Sequence, residues 1–429
     1  MKLNKICFLL LFFIIFLASS FAIEPTLHST ATTLVDSSTG FVLHSKNANQ
    51  KIYPASTTKV LTTIIAIENL DLTTPIVVTQ TGIAIPWDSS RSYLEVGEVI
   101  TVENLLYCTL LSSGNDAANM LGEAVSGNIK DFVNLMNEKA LEIGCTNTHF
   151  ANAHGYHDKN HYTTAEDMTK IVRYALKNDT FRKICETKTY TVPATNKFNE
   201  RKLVNTNRLI LTKEESKHAF YYEYALGGKT GYTGEAGRCL ISWAKKGDLE
   251  LICCTFGAPA SSGDDQRYVD AVNLYNYGFN DFTETNIISK EDYSFTVTDK
   301  ENLFEYTFGL KGNISIPIND TFKIQSISYT INMDINDIIK EENKKQVEVP
   351  VSFFVTDEKG NTSVLSATFS LIDEKELSNF NIEIILNIIL ITTCFLLLIF
   401  IILSKKKKTK KIYMRKLPAS NVSRKARRK

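Results

Sequence analysis

A chain of 429 residues is too long for one ordinary domain and long enough for two or three units. Its 44% hydrophobic and 22% charged residues suit a protein with a packed core and exclude disorder on a large scale. The net charge of +1 hides an asymmetry: thirteen Lys and Arg and no acid lie in residues 405–429, so the body before them is acidic, which excludes nucleic acid as its partner.

In chain order, Lys2 and Lys5 precede an unbroken apolar run over 6–17, and Ser20-Phe21-Ala22 supplies the small residues read by a signal peptidase. Residues 1–22 are therefore expected to be a cleaved secretory signal peptide. Short β-branched and apolar runs at 31–36 and 40–44 flank a Ser-Ser-Thr-Gly turn and predict a hairpin. Apolar periodicity predicts helices over 57–68, 102–110, 115–124, 129–143 and 165–177, the last with Thr164 as N-cap. Strands return at 224–229, 238–244 and 250–256, and a helix over 266–277 follows. Strands, a helical block, strands and a final helix predict the α+β class: over residues 23–285, a mixed sheet with helices on its faces and a helical insert.

Composition shifts near residue 285. Short alternating runs at 293–297, 322–327, 347–353 and 366–369, separated by turn signals such as Lys359-Gly360-Asn361, predict a small all-β unit over 286–375 that serves as a spacer or docking element. Residues 372–381 read as a linker. Residues 384–403 are twenty in a row without a charge, which at ~1.5 Å per residue cover the ~30 Å of a bilayer core. With the basic block that follows, they predict a transmembrane helix over 382–403, a cytoplasmic tail over 404–429 and a body outside the membrane. Six cysteines lie in that body: Cys108, Cys145, Cys185, Cys239, Cys253 and Cys254. None has metal-ligand spacing, and adjacent Cys253-Cys254 point to opposite faces if their segment is a strand, so most read as small core residues. No metal site and no cofactor are expected.

Three short motifs carry chemistry. In Ser56-Thr57-Thr58-Lys59 the chain enters its first long helix, where residues three apart share a face and Lys59 comes beneath Ser56. A serine hydroxyl needs a neighbour to take its proton, and a lysine buried near other cations can lose its own proton and serve as that base. Ser113-Gly114-Asn115 lies between two helices, where Ser113 can relay a proton and Asn115 can hydrogen-bond a substrate amide. Lys229-Thr230-Gly231 ends a strand; a lysine and a hydroxyl there can hold a carboxylate, and Gly231 lets a substrate backbone approach closely. Each motif alone recurs by chance, whereas the three in this order are specific.

That order, Ser-x-x-Lys, Ser-x-Asn and Lys-Thr-Gly, resembles the serine penicillin-recognising enzymes. The longer stretches Tyr53-Pro54-Ala55-Ser56-Thr57-Thr58-Lys59, Leu111-Ser112-Ser113-Gly114-Asn115-Asp116-Ala117-Ala118 and Gly228-Lys229-Thr230-Gly231-Tyr232-Thr233 are similar to the low-molecular-weight penicillin-binding proteins, the serine-type D-alanyl-D-alanine carboxypeptidases. So are Asn152-Ala153-His154-Gly155 and His161-Tyr162-Thr163-Thr164-Ala165.

The resemblance spans roughly residues 25–285 and implies a β-lactamase/transpeptidase-like catalytic domain. It implies Ser56 as the acylated nucleophile, Lys59 as base, Ser113 and Asn115 in the cleft, and Lys229 and Thr230 on the substrate's carboxylate, with Arg267 supporting them. Backbone N–H groups of Ser56 and Tyr232 would form the oxyanion hole. The implied substrates are peptidoglycan stem peptides ending in D-Ala-D-Ala, with β-lactams as covalent inhibitors. His154 and His161 are expected to shape or rim the cleft. One departure is the C-terminus, where a full apolar span stands in place of the family's interfacial amphipathic helix. A β-lactamase using Glu166, and a non-catalytic peptidoglycan sensor, are the rival readings.

Overall fold

The computed structural model describes residues 24–217, 220–260, 265–301, 303–319, 322–341, 344–358, 360, 362–376 and 389–393. The expected signal peptide, nearly all of the expected span and the basic tail lie outside the described residues. Among the described residues no helix is long and apolar enough to cross a membrane. The chain divides into two compact units, one running to Ser38 and from Val42 to Thr283, the other formed by Thr39–Phe41 and the chain from Glu284.

The first unit opens with strands β1 (Ala31–Asp36) and β2 (Val42–Lys46). A 3-10 turn over Ala55–Thr58 then feeds helix α1 (Lys59–Asn69). After a short hairpin, β3 (Pro75–Val77) with β4 (Val99–Thr101), come helices α2 (Val102–Leu110), α3 (Asn115–Ser126), α4 (Ile129–Glu142), α5 (Ala165–Ala175) and α6 (Asp179–Glu186). A second hairpin, β5 (Thr189–Val192) with β6 (Arg201–Val204), precedes β7 (Ala225–Thr233), β8 (Gly237–Lys246), β9 (Leu249–Ala258) and helix α7 (Gln266–Asp281).

Local chemistry accounts for these boundaries. The side chains of Thr101, Asn128, Thr164 and Asn178 each accept from a backbone N–H in the first turn of α2, α4, α5 and α6, satisfying donors that a helix start leaves open. Gly247, at φ +63°, turns β8 into β9.

The main sheet is antiparallel in the order β2-β1-β9-β8-β7. Every residue of β1 is buried, as a strand flanked on both sides and covered on both faces must be. Helix α7 packs on β9 and β8. Helix α5 packs on β9 and β1, and its Thr169 hydroxyl donates to Cys254 Sγ at 3.4 Å. Helix α1, buried from Lys59 to Ala66, is the centre of the helical block and touches α2, α3, α4, α5 and α6. Its N-terminus reaches the edge strand β7 through the 3-10 turn, and that junction positions the site.

Three features differ from the sequence reading, and the cysteines agree with it. The strand expected to stop at 229 continues through Thr233, so Lys229-Thr230-Gly231 lies inside an edge strand. Helix α1 begins at Lys59, and Ser56 belongs to the tighter turn before it. The hairpins β3/β4 and β5/β6 and helix α6 were not anticipated, since strands of three or four residues are too short to show a period. All six cysteines are free and buried.

The second unit holds β10 (Thr283–Ile288) paired with β13 (Ile314–Ile318), and a five-stranded sheet in the order β11-β12-β16-β15-β14. That sheet comprises β11 (Ser294–Asp299), β12 (Phe304–Leu310), β14 (Ile324–Ile331), β15 (Glu348–Asp357) and β16 (Thr362–Glu376). Phe308, Val349, Phe353, Leu365 and Phe369 are buried within it. A short helix, α8 (Ile335–Lys340), corrects the expectation of an all-β unit to a β-rich one. Its Asp334 cap accepts from the Asn336 N–H, a local signal that alternation of apolar residues does not reveal. Strand β16 also runs to Glu376, into the stretch expected to be a linker.

Candidate active site

The site forms where the 3-10 turn, the α2–α3 loop and β7 converge on a cleft of about 750 Å³. Ser56, Ser113, Asn115, Thr230, Gly231, Tyr232 and Arg267 all line it. Lys59 and Lys229 are fully buried behind its wall. All nine residues singled out in the sequence are thus brought together.

Two left-handed non-glycine residues set the geometry. Ala55 has φ +48° and Ser113 has φ +61°, conformations that L-residues adopt at a cost and keep only when their surroundings hold them. Ala55 turns the chain so that Ser56 faces the cleft. Ser113 turns the α2–α3 loop, and at the start of α3 the buried Asp116 carboxylate ties in the 92–94 segment, accepting from the N–H groups of Ser92 at 2.8 Å and Leu94 at 3.2 Å.

Lys59 Nζ lies 3.0 Å from Ser56 Oγ, 2.7 Å from Asn115 Oδ1 and 2.7 Å from the His154 carbonyl oxygen. Burial, reinforced by the charge of Lys229 and opposed by Asp116, pushes its pKa well below the ordinary lysine value. A neutral amine has two N–H groups and one lone pair. In that form Asn115 and His154 accept the two N–H groups, and the lone pair is left for the Ser56 hydroxyl.

Lys229 Nζ donates to Ser113 Oγ at 3.0 Å and to the Thr230 carbonyl at 2.9 Å. Burial, with the charge of Arg267 adding, brings its pKa down to about 7. Thr230 Oγ1 donates to Thr206 Oγ1 at 2.8 Å, which fixes its rotamer at the cleft wall. Tyr232 is 58% exposed at the rim.

Arg267 donates to the carbonyls of Gly231 at 3.1 Å and Cys239 at 3.3 Å, and to Asp265 Oδ2 at 2.9 Å. Asp265 also pairs with Arg238 at 2.8 Å. Arg267 therefore braces β7 at the cleft, beside the lysine and threonine.

His154 and His161 were expected to shape or rim the cleft, but their particular contacts escaped the sequence reading. The carbonyl of His154 holds Lys59, while its ring, pushed down to about 3 by burial and by Lys59, is neutral. His161 lies behind the turn, against Thr58. Gly155, at φ +85°, presses on the turn so closely that an added Cβ would stand 1.8 Å from the Ala55 carbonyl oxygen. A glycine after Asn-Ala-His was the one available signal. Glu166 is elsewhere: it pairs with Lys170 at 3.0 Å, one turn along α5, and does not line the cleft.

Comparison with known proteins follows the same lines. The protein family described as D-alanyl-D-alanine carboxypeptidase matches residues 19–260. The D-alanyl-D-alanine carboxypeptidase DacF of Bacillus subtilis is 33% identical over 330 residues, 75% of this chain and 78% of that protein. Among solved structures, a D-alanyl-D-alanine carboxypeptidase from Mycobacterium tuberculosis is 30% identical, with a TM-score of 0.54 over 59% of this chain and 92% of that one. A Streptomyces DD-transpeptidase is 31% identical, with a TM-score of 0.54 over 60% of this chain and 99% of that one.

Proposed function

We propose, of a chain that belongs to the D-alanyl-D-alanine carboxypeptidase family, that it is a serine DD-carboxypeptidase acting on peptidoglycan stem peptides through an acyl-enzyme on Ser56. The observation that carries the reading is the fully buried Lys59 amine, 3.0 Å from Ser56 Oγ and 2.7 Å from both Asn115 Oδ1 and the His154 carbonyl, with burial holding its pKa well below the ordinary lysine value.

In the reaction the Ser56 oxygen attacks the carbonyl between the two terminal D-alanines while its proton passes to Lys59 Nζ. The Ser56 and Tyr232 backbone N–H groups receive the negative charge that develops on the carbonyl oxygen. Lys229 and Thr230 hold the terminal carboxylate, supported by Arg267 beside them. The proton held on Lys59 is relayed through the Ser113 hydroxyl, which gives one proton to the departing D-alanine amine as it takes one up, and Asn115 holds Lys59 and the substrate amide. Gly231 lets the peptide lie against β7. Water then cleaves the Ser56 ester. β-Lactams acylate the same serine.

A β-lactamase needs a carboxylate that activates the deacylating water. Glu166, the candidate, is paired with Lys170 away from the cleft, which favours the peptidase. Ser56→Ala should abolish both labelling by a fluorescent penicillin and D-alanine release from a synthetic pentapeptide. Persistent labelling of that variant would sink the assignment, and rapid turnover of penicillin by the wild type would favour the lactamase.

The signal peptide over 1–22, the apolar segment over 382–403 and the basic tail over 404–429 support a single-pass protein in the cell membrane. Its catalytic unit then works on the outer side and its tail lies in the cytoplasm.

A further inference from the structure

Behind Ser56 a hydrogen-bonded chain runs from the 151–161 loop to the Ala55 carbonyl. The Ala151 N–H donates to His161 Nδ1 at 3.0 Å, which makes Nδ1 the acceptor and places the ring proton on Nε2. That Nε2 lies 2.7 Å from Thr58 Oγ1 and donates to it. The Thr58 hydroxyl in turn donates to the Ala55 carbonyl at 2.8 Å. Each link has one direction available: Ala151 N can only donate, the Ala55 carbonyl can only accept, and the histidine and threonine between them pass the sense along. His161 is 2% exposed and Thr58 fully buried, so water does not compete for these groups. Burial also pushes the His161 ring down to about 3, which leaves it neutral, as the chain requires.

The carbonyl at the end of this chain belongs to the left-handed Ala55. A trans peptide is planar, with its C=O and the following N–H pointing in opposite directions. Fixing the Ala55 carbonyl therefore fixes the Ser56 N–H. The carbonyl points inward to Thr58 and Gly155, and the Ser56 nitrogen lies on the side of β7, where a Cβ built on Gly231 would stand 3.0 Å from it.

Resting on the reading of Ser56 as the acylated serine, we propose that His161 is a positioning residue which acts through Thr58 to aim the Ser56 backbone N–H into the oxyanion hole. Neither side chain touches substrate. Their effect falls on the transition state, where the carbonyl oxygen carries charge, and not on the initial complex.

Single-turnover labelling of the full chain with a fluorescent penicillin separates the two, since it yields both the dissociation constant of the initial complex and the acylation rate constant. Thr58→Val keeps the shape and removes the hydroxyl; its acylation should slow by roughly 10- to 100-fold, somewhat less than complete loss of an oxyanion donor costs, with the dissociation constant unchanged. Thr58→Ser should restore the rate. His161→Asn can still accept from Ala151 but is too short to reach Thr58, and should behave as the valine variant. His161→Gln reaches Thr58 with an N–H and should retain most of the rate. Equal rates in wild type and Thr58→Val overturn the proposal, as does a defect confined to the dissociation constant. Equal losses in the conservative and disruptive members of each pair overturn it too. If thermal melting shows that the valine variant does not fold, the His161 pair decides. Failure of the underlying reading looks different: the wild type itself would then not be labelled at Ser56.

Discussion

Two buried lysines with opposite requirements meet in this cleft. Lys59 must be neutral to take a proton, and Lys229 must be charged to hold a carboxylate. With Lys229 at about 7 in the free protein, kcat/KM should decline as pH rises above that point, because it reports the free enzyme. The loaded enzyme should hold its kcat to higher pH, since a bound carboxylate favours the charged lysine. Lys229→Arg keeps its charge throughout and should move the alkaline limb upward; an unmoved limb in that variant means another group is responsible. Lys59→Ala should slow acylation by ~10²–10⁴-fold, the usual contribution of general base catalysis. At this scale the sequence was most informative. Ser56, Lys59, Ser113, Asn115, Lys229 and Thr230 lie in runs of three or four residues whose spacing is itself the signal. Thr58 and His161 were illegible as partners because they meet across 103 positions, and nothing about an alanine announces that Ala55 will be left-handed.

Among the elements, the loop from Ala151 to His161 matters more to the site than its irregular sequence suggests. It supplies the His154 carbonyl to Lys59, Gly155 to the Ala55 carbonyl and His161 to Thr58. Gly155→Ala forces a left-handed Cβ to within 1.8 Å of a backbone oxygen. It should cost more than about 2 kcal/mol of stability and lower the melting temperature together with the acylation rate. The loop also carries an acid liability. His154 and His161 have folded pKa values of about 3, against ~6.5 for an unfolded histidine. The unfolded chain binds the extra protons, so this stability is fully present above pH ~6.5 and drains away as pH falls toward 3. Melting temperature should fall over that window, and His161→Gln should fall less steeply. Long helices such as α4 and α5 were readable from their periods, and α5 also from its Thr164 cap. The two short hairpins were not, because strands of three or four residues show no period; α6 carries a local signal, the Asn178 cap, that the reading passed over.

For the whole molecule, the sequence announced two folded units and two terminal segments of unlike composition. The proposed topology makes a simple prediction. The full chain should sediment with membranes and resist alkaline carbonate extraction, whereas a chain truncated after residue 381 should appear outside the membrane with penicillin labelling intact. Recovery of the full chain as a free soluble protein would refute the anchored arrangement. What sequence alone conveyed least was the interior of the second unit, where β12, β13 and α8 went unpredicted between turn signals.

The buried cysteines have one more consequence. Cys108, Cys145, Cys185, Cys239, Cys253 and Cys254 are each no more than 3% exposed, and burial raises every one of their thiol pKa values. A buried, protonated sulfur is inert to alkylation until the polypeptide opens. The protein thus carries a built-in clock for its own breathing: pulse alkylation followed by mass spectrometry would count how many of the six sulfurs emerge together, and so tell whether sheet and helical block come apart as one body or in turn.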